Sequence, residues 1–325
     1  MGALHTLRAC FGIAVITFPL IVSAGPVAET DRLHQWLDLR YEEELGMSPT
    51  ALTRLGRKDK YDQVDDFSRE AEEDYFRWMA DSGKALAAEF VYEKLSEEGQ
   101  VSYDFWMYRV AGSAAGAPFM DHEYVMTTWS EAHTEPLNFM LNMHEVSSES
   151  DMTAYVARIA AWGRALQQLQ DRVEFAAKKG IRPPRFSYES VIRQSRLIIE
   201  EMFFGPAEEA NGLWGDAKQK IAALQASGAI DEAQSSRFLD DTRKALMGAL
   251  VPAYQRILRW HEADIENADE QAQGVHALPD GEAYFEYRLA RYTQSEMSPL
   301  EVHQLGLREV ARILAEMDAI REQIG

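Results

Sequence analysis

The sequence predicts an all-α protein, a bundle of long and short helices. Three observations predict this class. Apolar residues recur at alternating steps of three and four after Ala24, as they do on one face of a helix. Capping signals such as Ser-Pro-Leu-Glu at 298–301 stand where such stretches begin. Glycine followed by a proline pair stands where the clearest of them ends.

The clearest helix follows Ser150-Asp151 and ends at Gly180, with Pro183 and Pro184 just beyond. Its apolar residues form one continuous stripe, which predicts a helix buried along one side. A coiled coil produces the same pattern, but no comparable seam is repeated along the chain, so a buried bundle helix is favoured. The stripe consists of Met152, Tyr155, Ile159, Trp162, Leu166, Leu169, Val173 and Ala176.

Further helices are predicted on both sides of this one, and they differ in length. The helix over 231–267 should bend at Pro252, because proline lacks the backbone donor that an unbroken helix needs. Ser298, Pro299 and Glu301 predict a capped start for the last helix. No helical stripe is found over 111–149, so a long irregular region is predicted there. The other predicted helices cover 65–98, 187–203, 216–225 and 281–292.

Residues 1–24 are predicted to be a signal peptide. Arg8 precedes an apolar run from Phe11 to Val22, and Val22-Ser23-Ala24 suits cleavage after Ala24. The run is short for a membrane span, which needs about 20 apolar residues, so an uncleaved anchor is the less favoured alternative. The expected location is therefore outside the cytoplasm, periplasmic or secreted, with residues 25–325 as one helical region.

Charge and cysteine content exclude several classes of function. The chain of 325 residues carries a formal charge of −20, which repels phosphate backbones and anionic membranes. We therefore expect no nucleic-acid partner and no membrane contact beyond the signal peptide. Cys10 is the only cysteine and lies in the predicted signal, which excludes disulfides, thiolate zinc sites and cysteine nucleophiles from the mature chain.

The sequence contains three His-Glu pairs, the first two residues of the zinc signature H-E-x-x-H, which places two imidazoles on one helix face. The pairs begin at 122, 144 and 261, and none has a second histidine four residues later. His122, His133 and His144 cluster in the sequence, but without the spacing of a zinc site. No catalytic, cofactor-binding or metal-binding residue is therefore predicted in this chain. The residues found four positions after the pairs begin are Met126, Ser148 and Ile265.

The stretch from Leu278 to Ile313 concentrates aromatic, acidic and basic residues. Pro279, Asp280 and Gly281 predict a turn that opens a helix. On this helix Tyr284, Tyr287, Arg288 and Arg291 share one face. Packing with polar tips is the favoured interpretation. The alternative is a face beside a cleft that holds a peptide backbone or its carboxylate.

His303 shares a face of the last predicted helix with an apolar stripe that is expected to be buried. A core histidine with one hydrogen-bond partner is the favoured interpretation. The alternative places His303 at the rim of a cleft, within reach of a substrate. The stripe consists of Leu307, Val310, Leu314 and Met317.

Two motifs in this stretch resemble a known family. Leu-Pro-Asp-Gly-x-x-Tyr at 278–284 and Ser-Pro-Leu-Glu-Val-His-Gln-Leu-Gly-Leu-x-Glu-Val at 298–310 are similar to the bacterial domain-of-unknown-function 885 family. The segment "YVARIAAWGRALQQLQDRVEFAAKKGIRPPRF" at 155–186 also resembles this family, and the resemblance runs from about Asp31 to the end. The matching scaffold or cleft-wall positions are Pro279, Asp280, Gly281, Tyr284, His303 and Gly306.

The resemblance implies a mainly helical, exported, zinc-metallopeptidase-like protein. The family's signature resembles His-Glu-x-x-Pro-Gly-His and belongs to a C-terminal half that this sequence does not contain. The resemblance therefore implies an N-terminal half that is inactive alone, with zinc expected only together with the missing half. Its expected partner is a peptide or a C-terminal complementing chain. The alternatives are a non-catalytic binding module and one subunit of a split peptidase.

Overall fold

The computed structural model describes residues 25–130, 132–202 and 212–324, so the predicted signal peptide lies outside the described residues. The described residues confirm the all-α class, because they form helices joined by turns and contain no β-strand. Within these ranges, no helix is both long and apolar enough to cross a membrane.

Short turns of other helix types connect several of the main helices. π-helical turns extend α7 over Ile198–Met202 and join α9 to α10 over Leu246–Leu250. The main helices are α1 Pro26–Gly46, α2 Pro49–Arg54, α3 Arg69–Glu89, α4 Glu97–Gly116, α5 Glu135–Asn142, α6 Glu149–Lys178, α7 Arg185–Leu197, α8 Leu213–Ala226, α9 Glu232–Ala245, α10 Val251–Asp264, α11 Gly281–Thr293 and α12 Pro299–Ile324.

A small aromatic core joins α1, α3 and α4. Trp36 of α1 meets Trp106 of α4 edge to face, with ring centroids 5.7 Å apart. The single helix predicted over 65–98 is divided here, because α3 ends at Glu89 and Ser96 caps a new helix by accepting the Gly99 N–H at 3.3 Å. The core consists of Leu33, Trp36, Met79, Leu86, Phe90, Leu95 and Trp106.

The larger core surrounds α6, and the predicted stripe of this helix is confirmed. Its residues from Met152 to Leu169 are buried against α5, α8, α9 and α10, and Val173 and Ala176 continue the same face. Ser148 caps the start by accepting the Asp151 N–H at 3.2 Å. Gly180 adopts a φ of +81° just after the end, a conformation that favours glycine.

The irregular region predicted over 111–149 is present but shorter than predicted, because helices occupy its first residues and part of its interior. Helix α4 continues to Gly116, and α5 occupies Glu135–Asn142. The final turns of α4 contain only small residues, so they lack a large apolar stripe while still packing closely against a neighbour. Helix α5 spans only 8 residues, which is too short to show a helical period clearly.

The predicted disturbance at Pro252 takes the form of a change in helix type. The π-helical turn over Leu246–Leu250 comes directly before α10, in which Pro252 lies in the first turn. Proline has no backbone N–H to donate to the preceding turn, and the wider π turn accommodates that missing bond. Leu246 and Leu250 of this turn remain fully buried against α6.

Helix α12 begins as predicted, with Ser298 and Glu301 bonded reciprocally in a capping box. Its apolar stripe, however, is not covered by the described residues. Leu307 is 59% exposed and Leu314 is 54% exposed, and no residue of this helix is buried. Among the described residues, the stripe that carries His303 is therefore exposed and not buried as predicted. A helical period shows which face is apolar, but it does not show what covers that face.

Candidate functional site

The predicted turn at Pro279–Gly281 is present and contacts both α11 and the loop that follows α4. Asp280 adopts the left-handed conformation, with a φ of +51°, and its carbonyl accepts the Tyr284 N–H at 2.9 Å. The Pro279 carbonyl oxygen lies 2.7 Å from His122 Nε2. Because a carbonyl only accepts, Nε2 of His122 carries the proton in this hydrogen bond. The turn is thereby tied to the loop that follows α4.

Gly281 lies where the start of α11 crosses the 3₁₀ turn over Val275–Ala277. An added Cβ would overlap the carbonyl oxygen of Val275 and contact the backbone of His276 at 3.0 Å. We expect Gly281→Ala to lower the free energy of unfolding by about 2 kcal/mol, because backbone atoms on both sides must move apart. Urea unfolding measures this change.

Gly306→Ala is the matched control for this substitution. A Cβ at Gly306 has open space around it on α12, so no loss of stability is expected there. Equal stability of the Gly281→Ala and Gly306→Ala variants would contradict the close backbone approach at Gly281.

The tyrosines of α11 pack inward against the end of α4. Tyr284 is buried beside His122, with ring centroids 5.0 Å apart, and Tyr287 stacks on Phe119 at 5.4 Å. An added Cβ at Gly116 would lie 2.5 Å from the Tyr287 hydroxyl, so α4 and α11 approach closely at this point. Tyr287 therefore lies in the contact between α4 and α11, and Tyr284 packs against the residues that follow α4.

The two arginines of the same face lie at the edge of this contact. Arg291 extends over Gly112 of α4, and its guanidinium lies 5.2 Å from the ring centroid of Tyr108. Arg288 pairs with Glu123 and donates to the Tyr292 hydroxyl at 2.7 Å. The arginine side chains therefore join α11 to α4 and to the loop after it.

His303 and Gly306 lie elsewhere, on exposed turns of α12. The structure therefore places the predicted positions in two groups. Pro279, Asp280, Gly281 and the tyrosine–arginine face form one packed unit with α4. His303 and Gly306 belong to an uncovered helix.

A cleft of about 430 Å³ adjoins the segment that leads into Pro279. Residues 267–278 form one wall, and residues 124–129 and 180–187 form the rest. Trp129 is 92% exposed at its rim, and Phe186 is 50% exposed. The Trp129 turn is held by Thr127 Oγ1, which accepts the Trp129 and Ser130 N–H groups at 3.0 and 2.8 Å. Sequence reasoning missed both aromatic residues, since Trp129 belongs to no motif and Phe186 is only the last residue of the segment 155–186 that resembles the family.

The two charged residues that line this cleft differ in whether they are paired with an opposite charge. Arg182 is the one base among its described lining residues, and Asp264 binds it through two hydrogen bonds of 2.8 and 3.1 Å. Burial alone would raise the pKa of Asp264, but hydrogen bonds from Arg182, Asn267 and Tyr188 hold the pKa below its usual value. Asp269 is the one acid of the lining, and no described residue pairs with its carboxylate.

A second groove, of about 700 Å³, lies between α5 and the end of α7 and shares no lining residue with the predicted motif. Leu137, Leu141, Leu197 and Ile198 give it an apolar lining. Its acid, Glu135, already pairs with Arg54. This groove is larger, but the one charged side chain among its described lining residues is already paired. The cleft beside Pro279 is therefore the stronger candidate.

The three clustered histidines occupy separate environments. His122 binds Pro279, His133 Nε2 lies 2.8 Å from Gln194 Oε1, and His144 lies between Arg158 and the Asp151 carbonyl. Nowhere in the described ranges do three or more His, Cys, Asp or Glu side chains gather so that they could hold a metal ion. His122, His133 and His144 are therefore not brought together as ligands of one metal ion.

Arg158 of α6 is a buried cation that sequence reasoning missed. Its guanidinium donates to Thr53 Oγ1 at 2.6 Å, to the Gln63 carbonyl at 2.8 Å and to His144 Nδ1 at 3.0 Å. Burial lowers the pKa of Arg158 to about 10. A signal was present, because Arg158 follows Tyr155 by three and so interrupts the apolar stripe. Its contacts join α6 to α2 and to the loops, which is a structural role.

The solved structures include a chain of similar fold. It is described as "The crystal structure of the putative lipoprotein from Colwellia psychrerythraea", and the two chains are 16% identical with a TM-score of 0.69. The match covers 90% of this chain and 51% of that chain, so the present chain spans about half the length of the solved one. At this identity the likeness concerns the fold alone. No curated protein matches the chain.

A family model supplies the remaining evidence. The model described as "Bacterial protein of unknown function (DUF885)" matches residues 49–325, which include α2 through α12 and both motifs around Pro279 and His303. The chain therefore belongs to the bacterial protein family DUF885.

Proposed function

We propose that this chain is an exported helical scaffold that holds a metallopeptidase-like catalytic part through α12 and carries no catalytic ion itself. The observation that carries the proposal is the uncovered apolar face of α12. This helix of 26 residues has a continuous apolar face and no buried residue. An apolar face of this length is normally covered by another part of a protein.

The occupant that we propose is a further helical part, joined to this chain or supplied separately as a complementing chain. The solved lipoprotein structure supports it, because that chain is about twice as long as the portion matched. The family resemblance supports the same assignment, since its His-Glu-x-x-Pro-Gly-His signature would come with that part. His122, His133 and His144 already have structural partners, which supports a scaffold without its own zinc.

Purified residues 25–325 test the proposal through metal content and peptide hydrolysis. We expect no stoichiometric zinc and no hydrolysis above background. Tight zinc binding with peptidase activity in this chain would overturn the scaffold assignment. Adding the proposed catalytic part should restore both properties.

A substitution on the uncovered apolar face of α12 tests directly whether this face binds the catalytic part. Leu314→Glu is expected to change the free energy of unfolding by less than about 0.5 kcal/mol, because the side chain is already exposed. It should weaken binding of the catalytic part at least tenfold, because a charge would enter the apolar contact. Urea unfolding and sedimentation measure the two effects.

Ala319→Glu is the matched control. It adds the same charge to the same helix, five residues on and therefore about 140° around the axis. This control should leave binding unchanged. If Leu314→Glu unfolds the chain as a core substitution does, then the face is packed within this chain and the proposal fails.

A non-catalytic binding module is the second candidate function. The observation that favours it is the cleft of about 430 Å³ beside Pro279. A stable monomer that binds a peptide saturably, and that gains no activity from any added part, would favour this candidate over the scaffold.

A further inference from the structure

The geometry of the cleft beside Pro279 points to a binding site for an organic cation, namely an alkylated ammonium group. This inference is independent of the scaffold role, because the cleft and α12 share no residues. It rests on two observations, the aromatic rings around the cleft and the charge balance of its lining.

Aromatic side chains contribute from different parts of the wall. Tyr124 lies on the loop after α4, Trp129 on the Thr127 turn and Phe186 at the start of α7. Trp129 keeps 92% of its surface in water while its backbone is held by two hydrogen bonds to Thr127. A large apolar ring held in water loses the benefit of burial, which a ligand covering that ring would restore.

The electrostatics of the lining favour a positive ligand. The guanidinium of Arg182 is neutralised by Asp264, whereas no described residue pairs with the carboxylate of Asp269. Burial is the main cause of the raised pKa of the Tyr124 phenol, and the charges of Tyr284 and Asp269 add to it. The lining therefore combines one unpaired negative charge with π faces, the combination that binds alkylammonium groups.

Two kinds of ligand carry a positively charged ammonium group of this kind: a free small ammonium compound and the side chain of a lysine in a peptide. The volume of about 430 Å³ accommodates either one. The net charge of −20 attracts both, but it does not select the cleft over other acidic surfaces. The three aromatic rings that line the same cleft as Asp269 make that selection.

Calorimetric titration of residues 25–325 with choline chloride tests the inference, at constant ionic strength. Saturable binding with a dissociation constant on the order of 1 mM is expected. The probe 3,3-dimethyl-1-butanol has the same shape without the charge, and it should bind at least tenfold more weakly. A blocked Gly-Lys-Gly peptide, compared with its norleucine analogue, distinguishes the peptide source from the free compound.

Substitutions in the cleft lining show whether the cation binds in this cleft. Trp129→Ala should weaken it about tenfold, and Asp269→Asn about threefold. Phe105→Ala is the matched control, because Phe105 is an exposed aromatic residue on α4 outside the cleft, and it should have no effect. Binding of either cationic probe with these losses supports the site. Equal binding of the uncharged probe, binding that Trp129→Ala leaves unchanged, or no binding of either cation would overturn it.

Discussion

Replacing Arg158 by methionine is expected to lower the free energy of unfolding by roughly 4 kcal/mol. The guanidinium is fully buried and donates to Thr53, Gln63 and His144. Methionine fills much of the same volume but donates no hydrogen bond, so these acceptors would be buried without a partner. Each unpaired acceptor costs about 1–3 kcal/mol.

Urea unfolding of the Arg158→Met variant measures this loss. Arg164→Met is the control, because Arg164 lies on the same helix with an exposed side chain, and its replacement should change stability by less than about 0.5 kcal/mol. A buried cation is itself expensive to desolvate, and some proteins become more stable when it is replaced by an apolar residue. Unchanged or higher stability of the Arg158→Met variant would therefore show that desolvation outweighs the hydrogen bonds.

Acidification from pH 7.5 to pH 5 is expected to destabilise the fold strongly through two buried histidines. Burial, assisted by the charge of Arg158, lowers the pKa of His144 to about 3, and burial lowers the pKa of His261 to about 4. Both remain neutral in the folded chain at pH 5, whereas unfolded histidine, with a pKa near 6.5, binds a proton. The unfolded state binds more protons, so stability falls as the pH drops below about 6.5.

The size of the effect follows from the same linkage. At pH 5 each histidine removes on the order of 2 kcal/mol relative to pH 7.5. Asp151, whose pKa is held at about 2 mainly by Lys58 and Ser147 against the opposing effect of burial, loses its contribution only below about pH 4. The interval between pH 5 and 6.5 therefore reports the histidines.

Comparing the wild type with His144→Gln at both pH values isolates one residue. Glutamine can accept from Arg158 but does not titrate, so the loss between pH 7.5 and 5 should be smaller by about 2 kcal/mol. Burial raises the pKa of Glu72, which works in the opposite direction, but Glu72 is common to both proteins and cancels in the comparison. An unchanged pH dependence in the variant would contradict a neutral, buried His144.

The local features of this fold were predictable because they depend on neighbours in sequence. The stripe of α6, the Gly180 stop, the Pro279–Gly281 turn and the Ser298 cap all appear where the residue pattern places them. Each depends on contacts within about four residues, or on the backbone preference of one residue type.

The candidate site was less predictable, since its parts come from distant segments. The tyrosines of α11 were expected on one face, but only the fold shows that Gly112 and Gly116 of α4 cover that face. The cleft brings residue 124 beside residues 182 and 269, and no pattern within either segment records this proximity. Trp129 belongs to no motif, and its exposure is visible only in three dimensions.

By itself the sequence determined the helical class, the start and end of α6, the start of α12, and the apolar face of each of these two helices. The tertiary structure alone decided which of those faces are covered: that of α6 is buried, whereas that of α12 remains open among the described residues. The physical reason is that periodicity is a property of one segment, whereas burial depends on a second surface whose position is set by contacts far along the chain.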